Sequence, residues 1–172
     1  MPIRWNNLFF ELHLTFAIRS IFISKCPIWD NKKKSKIDIL LYDNTKKQLL
    51  FCEAKHFSNP EIWPGPGDKD PKVISQLNRY NEQISNKRDS ILKEYAAAFC
   101  MYNQLFGVKL NDPEIVCNKC GLLIFGFNKQ QQDDVKKLHT RIGLKGHKCR
   151  IIGHASGSSF TVESLFNALL PN

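Results

Sequence analysis

The sequence predicts an α/β domain, a mixed sheet flanked by helices. Three observations lead there. Two β-prone runs, Ile37 to Asp43 and Gln48 to Lys55, are joined by the polar turn Asn44-Thr45-Lys46-Lys47. Apolar residues recur at helical spacing before and after that hairpin. Gly121 to Phe127 is a continuous apolar run of strand length. The 172 residues amount to about one domain. The chain is read as a single domain over 1–172 that begins almost directly in a core helix, as a piece excised from a longer protein would.

Each element has its own local reason. From Trp5 to Ser24 the pattern is helical, with Asn6 or Asn7 available as N-cap. Lys25 to Trp29 reads as a short strand, and Asp30 to Lys36 as a polar loop carrying Lys32, Lys33, Lys34 and Lys36. The hairpin follows, its turn of the length that closes a four-residue loop. His56 to Asp70 holds Pro60, Pro64, Gly65, Pro66 and Gly67 and is a long irregular connection; connections of that length are usually functional or disordered. Asp70-Pro71 opens a long helix with Asp as N-cap and Pro at the first helical position. Leu77, Tyr80, Ile84, Ile91 and Tyr95 mark its buried stripe, which extends to about Phe106. Beyond the strand at 121–127, Lys129 to Ile142 is a helix stopped by Gly143, Cys149 to Gly153 a strand, and Val162 to Leu170 a closing helix.

Composition narrows the function classes. Hydrophobic residues at 42% and charged residues at 24% are globular values, which argues against a disordered tail or fibrous repeat. Lys plus Arg outnumber Asp plus Glu by 25 to 16, a formal +9 that suits a polyanionic partner. The stretch Leu8 to Ile23 is apolar but interrupted by Glu11, His13 and Arg19. It is shorter than the ~20 apolar residues a bilayer span requires, so nucleic acid is favoured over a membrane. Six cysteines are too sparse for a disulfide scaffold, and a reducing, cytoplasmic setting is expected. Cys117 and Cys120 form a lone CxxC. A structural zinc site wants four ligands, and no second pair follows, so a plain loop before a strand is the competing reading.

The chemistry concentrates on the hairpin. Alternation places Glu53 and Lys55 on one face of the second strand. With Asp43 paired to Gln48, counting back sets Asp38 opposite Glu53, about 5 Å apart at Cβ. Like charges so placed destabilise a hairpin, and a divalent cation would remove the penalty, since Mg²⁺ takes one or two carboxylates plus waters and phosphate oxygens. Lys55 would then offset charge on a phosphorane-like transition state. Solvated strand ends with Lys55 as a salt-bridge partner are the structural alternative. On the long helix, Gln76 and Tyr80 stand at i and i+4 and share a face.

Asp38 in Ile37-Asp38-Ile39, the triplet Glu53-Ala54-Lys55 and the helix motif Gln76 to Tyr80 together resemble the PD-(D/E)XK nuclease superfamily, of the RecB-like Q-x-x-x-Y type. The resemblance runs from about Trp5 to Phe127; Ile37 stands where many members have the Pro before the first Asp. It implies a restriction-endonuclease-like αβββαβ core and a Mg²⁺- or Mn²⁺-dependent deoxyribonuclease. By that analogy Asp38, Glu53 and the Ala54 carbonyl bind the metal, with Glu11 of the first helix as a further acid. Lys55 positions or activates water, and Gln76 orients the site or contacts DNA. Tyr80 touches a phosphate or packs.

Around that set, Trp63 is a candidate for base stacking or for pinning its loop to the core. Lys32, Lys33 and Lys34, with Lys46 and Lys47 at the hairpin tip, are candidates for tracking a phosphate backbone. Two other readings stand beside the nuclease. One is a catalytically inactive nucleic-acid-binding or assembly module on the same fold; the other is a basic globular protein whose charge serves solubility. No P-loop, helicase motif or sequence-reading domain is visible, so targeting is expected from a partner protein, a second copy or further sequence.

Overall fold

A computed structural model describes residues 20–27, 36–153 and 162–170. Its order is β1 (Ser20–Pro27), β2 (Lys36–Asp43), β3 (Gln48–His56), α1 (Lys72–Asn86), α2 (Arg88–Phe106), β4 (Ile115–Val116), β5 (Gly121–Phe127), α3 (Gln132–Leu144), β6 (Cys149–Gly153) and α4 (Val162–Leu169). The strands form one mixed, open sheet in the order β1-β2-β3-β5-β6, with β4 also paired to β3. β1, β2 and β3 are antiparallel neighbours, while β3, β5 and β6 run parallel. Parallel neighbours require a crossover, and α1 with α2 supply the one between β3 and β5. Among the described residues no helix is long and apolar enough to cross a membrane.

The core lies on both faces of the sheet, so the central strands are largely apolar. On one face Leu49, Phe51, Leu122 and Ile124 pack against Val73, Leu77, Tyr80 and Ile84 of α1, Ile91 and Phe99 of α2, and Leu138 and Ile142 of α3. On the other, Leu41, Leu50, Cys52 and Leu123 meet Leu165, Phe166 and Leu169 of α4. The hairpin register is the one the turn length predicts, from Asp43↔Gln48 to Ile39↔Cys52. Asp43 closes the turn, its Oδ1 accepting from the amides of Thr45 and Lys46, both at 3.0 Å.

Several expectations are corrected. Residues 20–24 belong to β1, not to the first helix: Ile21-Phe22-Ile23 is β-prone, and the whole segment pairs with β2. Residues 5–19 of that expected helix, Glu11 among them, and the Lys32-Lys33-Lys34 run lie outside the described residues. The long helix divides at Lys87 (φ −115°, ψ 14°), within the polar stretch 85–90, although hydrogen bonds from Lys87 N–H to Gln83 and from Ile91 N–H to Lys87 carry the chain across. Asp70 does not cap; Pro71 occupies the cap position without a side-chain bond, and Asp70 instead pairs with Lys145 Nζ at 2.9 Å. Gly143 lies inside α3, and the left-handed residue beyond its end is Gly146 (φ 75°). The short strand β4 was not expected; two residues are too few to show alternation.

The connection after β3 is ordered by its own polar groups. Phe57 N–H donates to the Phe125 carbonyl, Asn59 N–H to His56, and Trp63 N–H to Pro60. A 3-10 turn over Pro60–Ile62 is capped by Asn59, whose Oδ1 accepts from Glu61 N–H at 2.8 Å. This turn brings an acid back over the end of β3.

Candidate active site

Leu49, Phe51, Glu53 and Lys55 alternate along the face of β3 that meets α1, and Phe57 follows just past its end. Leu49, Phe51 and Phe57 join the core there, and Glu53 with Lys55 interrupts it. Glu53 is only 3% exposed. Its Oε1 accepts from Lys55 Nζ at 2.9 Å and from Gln76 Nε2 at 2.7 Å. Gln76 Nε2 also lies 3.0 Å from the Tyr80 hydroxyl, as the i, i+4 spacing predicts. Asparagine 81 on the same helix ties α1 to the sheet, Asn81 Oδ1 accepting from Cys120 N–H at 2.7 Å.

Asp38 comes to the same place from β2. The backbone ladder stops at Ile39↔Cys52, one step short of setting Asp38 against Glu53. The Asp38 side chain continues it, Oδ2 accepting from Ala54 N–H at 3.0 Å. The two carboxylates are therefore close enough for the Asp38 charge to act on Glu53.

Electrostatics follow from this crowding. Burial, and after it repulsion from Asp38, raise the Glu53 carboxyl above its ordinary value, although the Lys55 and Gln76 bonds oppose them. For Lys55, burial is the largest single effect and lowers its pKa. Bonds to Glu61 and Glu53 together outweigh it, so the ammonium is held above its ordinary value. Glu61 Oε2 lies 2.7 Å from Lys55 Nζ, and that bond lowers the Glu61 carboxyl.

One atom is left over. Glu53 Oε2 is buried and has no hydrogen-bond partner among the described residues. A buried carboxylate oxygen without a donor is costly; with the Asp38 carboxylate near enough to act on it, it offers hard-oxygen donors of the kind Mg²⁺ or Mn²⁺ takes. Among the described residues no group of three or more His, Cys, Asp or Glu is placed to hold a metal ion, so Asp38 and Glu53 would serve such an ion as a two-carboxylate site completed by water.

The remaining sequence candidates sit as follows. Tyr80 is 3% exposed, its ring in the core and its hydroxyl against Gln76, which makes it a support for that amide. Trp63 is partly buried, its indole N–H donating to the Phe57 carbonyl at 3.0 Å and its ring set edge-on to Phe57 at 5.2 Å. Those contacts pin the loop. Lys46 pairs with Asp43 and Lys47 with Glu114. The hairpin tip is also about 20 Å from Glu53, at ~3.4 Å per strand residue. Cys117 and Cys120 do not converge: Cys117 packs on the α4 side of the sheet and Cys120 on the α1 side. Burial pushes the Cys117 thiol up to about 11.

Glu61 is the residue that spacing alone did not assign to the site. Its signal is local: Asn59-Pro60 is a cap followed by Pro at the first helical position, which turns the chain at once.

No family model matches the chain, and comparison with curated proteins and with solved structures finds no match either.

Proposed function

We propose that the chain is a divalent-metal-dependent phosphodiesterase acting on DNA, built on the restriction-endonuclease-like core of the PD-(D/E)XK superfamily. The observation that carries this reading is Glu53 Oε2, a buried oxygen without a donor among the described residues, on a carboxylate near Asp38 and paired with the Lys55 ammonium. The sheet supports it: two antiparallel pairings followed by a parallel one across a helical crossover suit that core.

In this reading Asp38, Glu53 and the Ala54 carbonyl hold Mg²⁺ or Mn²⁺, which supplies Lewis acidity toward the phosphate and lowers the pKa of a bound water. The chain's own groups do the rest. Gln76 occupies Glu53 Oε1 and so fixes which oxygen stays open, and Tyr80 backs Gln76. Lys55 orients water or steadies phosphate charge as it develops. Glu11 is assigned as a further acid at the metal, and Lys32, Lys33 and Lys34 as contacts along the DNA backbone.

The test is cleavage of labelled DNA with Mg²⁺ or Mn²⁺. Asp38→Ala and Lys55→Ala are each expected to lower the rate by about a hundredfold or more, the scale of losing one transition-state contact. Activity surviving both substitutions ends the assignment. A second reading, an inactive nucleic-acid-binding module, is favoured by one observation: Lys55 Nζ already neutralises Glu53. It predicts DNA binding with neither Mn²⁺ uptake nor turnover.

A further inference from the structure

Lys55 stands in a conflict of charge. Its Nζ is 2.9 Å from Glu53 Oε1, on the carboxylate whose other oxygen has no partner among the described residues. An ammonium and a divalent cation on one carboxylate repel each other, so an ion at Glu53 is opposed unless Lys55 has a second anchor. Glu61 Oε2, at 2.7 Å, is such an anchor. It is set by bonds within its own loop rather than by chance: Asn59 Oδ1 holds Glu61 N–H, Trp63 N–H closes on Pro60, and the Trp63 indole fastens the turn to Phe57.

We propose that Glu61 is a positioning residue of the candidate nuclease site, holding the Lys55 ammonium off Glu53 when a divalent cation takes that carboxylate. The inference rests on the reading of Asp38 and Glu53 as cation ligands. Glu61 keeps Lys55 at the edge of the site, within reach of a phosphate oxygen, while Glu53 is released to the ion. Without Glu61 the ammonium has, among the described residues, only Glu53 to pair with and competes directly with the ion.

The experiment is a Mn²⁺ titration of the full chain, following free Mn²⁺ by electron paramagnetic resonance. Four proteins are compared: wild type, Glu61→Gln, Lys55→Gln and the double variant, each checked for folding by thermal melting. Glu61→Gln is expected to weaken Mn²⁺ binding about tenfold, a coupling of the size found between contacting charged residues. Lys55→Gln is expected to tighten binding, and adding Glu61→Gln to it to change nothing further. A role in loop packing alone would tolerate the isosteric Gln. A bare field effect of the Glu61 charge would persist in the Lys55→Gln background.

No effect of Glu61→Gln on wild type, or an equal effect in both backgrounds, overturns the proposal and leaves the metal site standing on the wild-type titration. Absence of Mn²⁺ binding by wild type overturns both. Should Lys55→Gln fail to fold, a crystal structure of wild type with Mn²⁺ decides. Lys55 on Glu61 and released from Glu53 is expected; Lys55 on Glu53 and released from Glu61 overturns the proposal.

Discussion

At the residue scale the molecule is governed by a few buried polar atoms whose partners are incomplete. Glu53 is one, and its missing partner is the reason for assigning a ligand to the site. His147 is another. It is 5% exposed, and neither ring nitrogen has a hydrogen-bond partner among the described residues. Burial first, and then the charge of Lys119, lower its pKa from 6.5. The sign follows from where the proton binds more readily. With the folded value depressed, the unfolded chain takes up the proton first. The stability His147 contributes is therefore present above pH ~6.5 and lost as pH falls from there through the folded value. Urea denaturation at pH 7.5, 6.5 and 5.5 is expected to show this loss, at up to ~1.4 kcal/mol per pH unit for one proton. His147→Leu is expected to flatten the profile over the same range. A variant whose profile matches wild type would place the titrating group elsewhere. The chemistry of this residue was not legible in the sequence, because nothing local to Gly146-His147-Lys148 says that the ring is enclosed.

Among elements, α1 matters most for the site, because it carries Gln76 to Glu53. Its buried stripe of Val73, Leu77, Tyr80 and Ile84 was legible from the spacing. What fixes its height over β3 was not legible: Asn81 Oδ1 receives the Cys120 amide at the entry to β5. Asn81→Ala leaves that amide without its acceptor and is expected to cost ~1–3 kcal/mol, read as a lower denaturant midpoint. If α1 is set by this bond, Glu53→Ala in the Asn81→Ala background costs less than in wild type, because the Gln76 contact is already loosened. Strict additivity of the two substitutions would separate helix placement from the site. The division at Lys87 shows the limit of periodicity. The apolar repeat from Ile84 to Ile91 continues across it, and the break is visible only as the polar run between them. The 20–24 segment shows the same limit in the other direction. Apolar residues there satisfy a helical pattern as well as a strand, and pairing with β2 decides between them.

For the whole molecule, the relevant quantity is the net charge of +9. Its surface ion pairs, such as Lys136–Asp133 and Lys137–Asp134, are exposed and of small energetic consequence. Unbalanced positive charge is a property of the surface as a whole, and it belongs to association rather than to folding. DNA binding in EDTA, measured by filter retention, is expected to weaken at least about tenfold between ~50 and ~200 mM salt, as phosphate neutralisation releases counterions. Binding that is absent at low salt, or indifferent to it, would count against a nucleic-acid partner. In the proposed reading, the sheet sets where a nucleic acid would meet the site. Glu53 and Lys55 lie toward the C-terminal end of β3, beside parallel β5, whereas the paired lysines of the hairpin tip are at the opposite end. In the proposed reading, contacts near a reacting phosphate would fall to other residues than Lys46 and Lys47.

What the sequence by itself determined was local in origin. The four-residue turn and two-residue periodicity fix the register of β2 on β3, and with it the facing of Asp38, Glu53 and Lys55. The i, i+4 spacing fixes Gln76 beside Tyr80. Tertiary structure alone decided that Glu53 is buried with one oxygen unpartnered, that Gln76 descends on the other, and that Glu61 returns over the strand to Lys55. Those contacts join residues whose separation along the chain says nothing about their distance in space. They form only when the apolar face of α1 and the ring of Trp63 dock against the sheet, and that docking is a property of the assembled core.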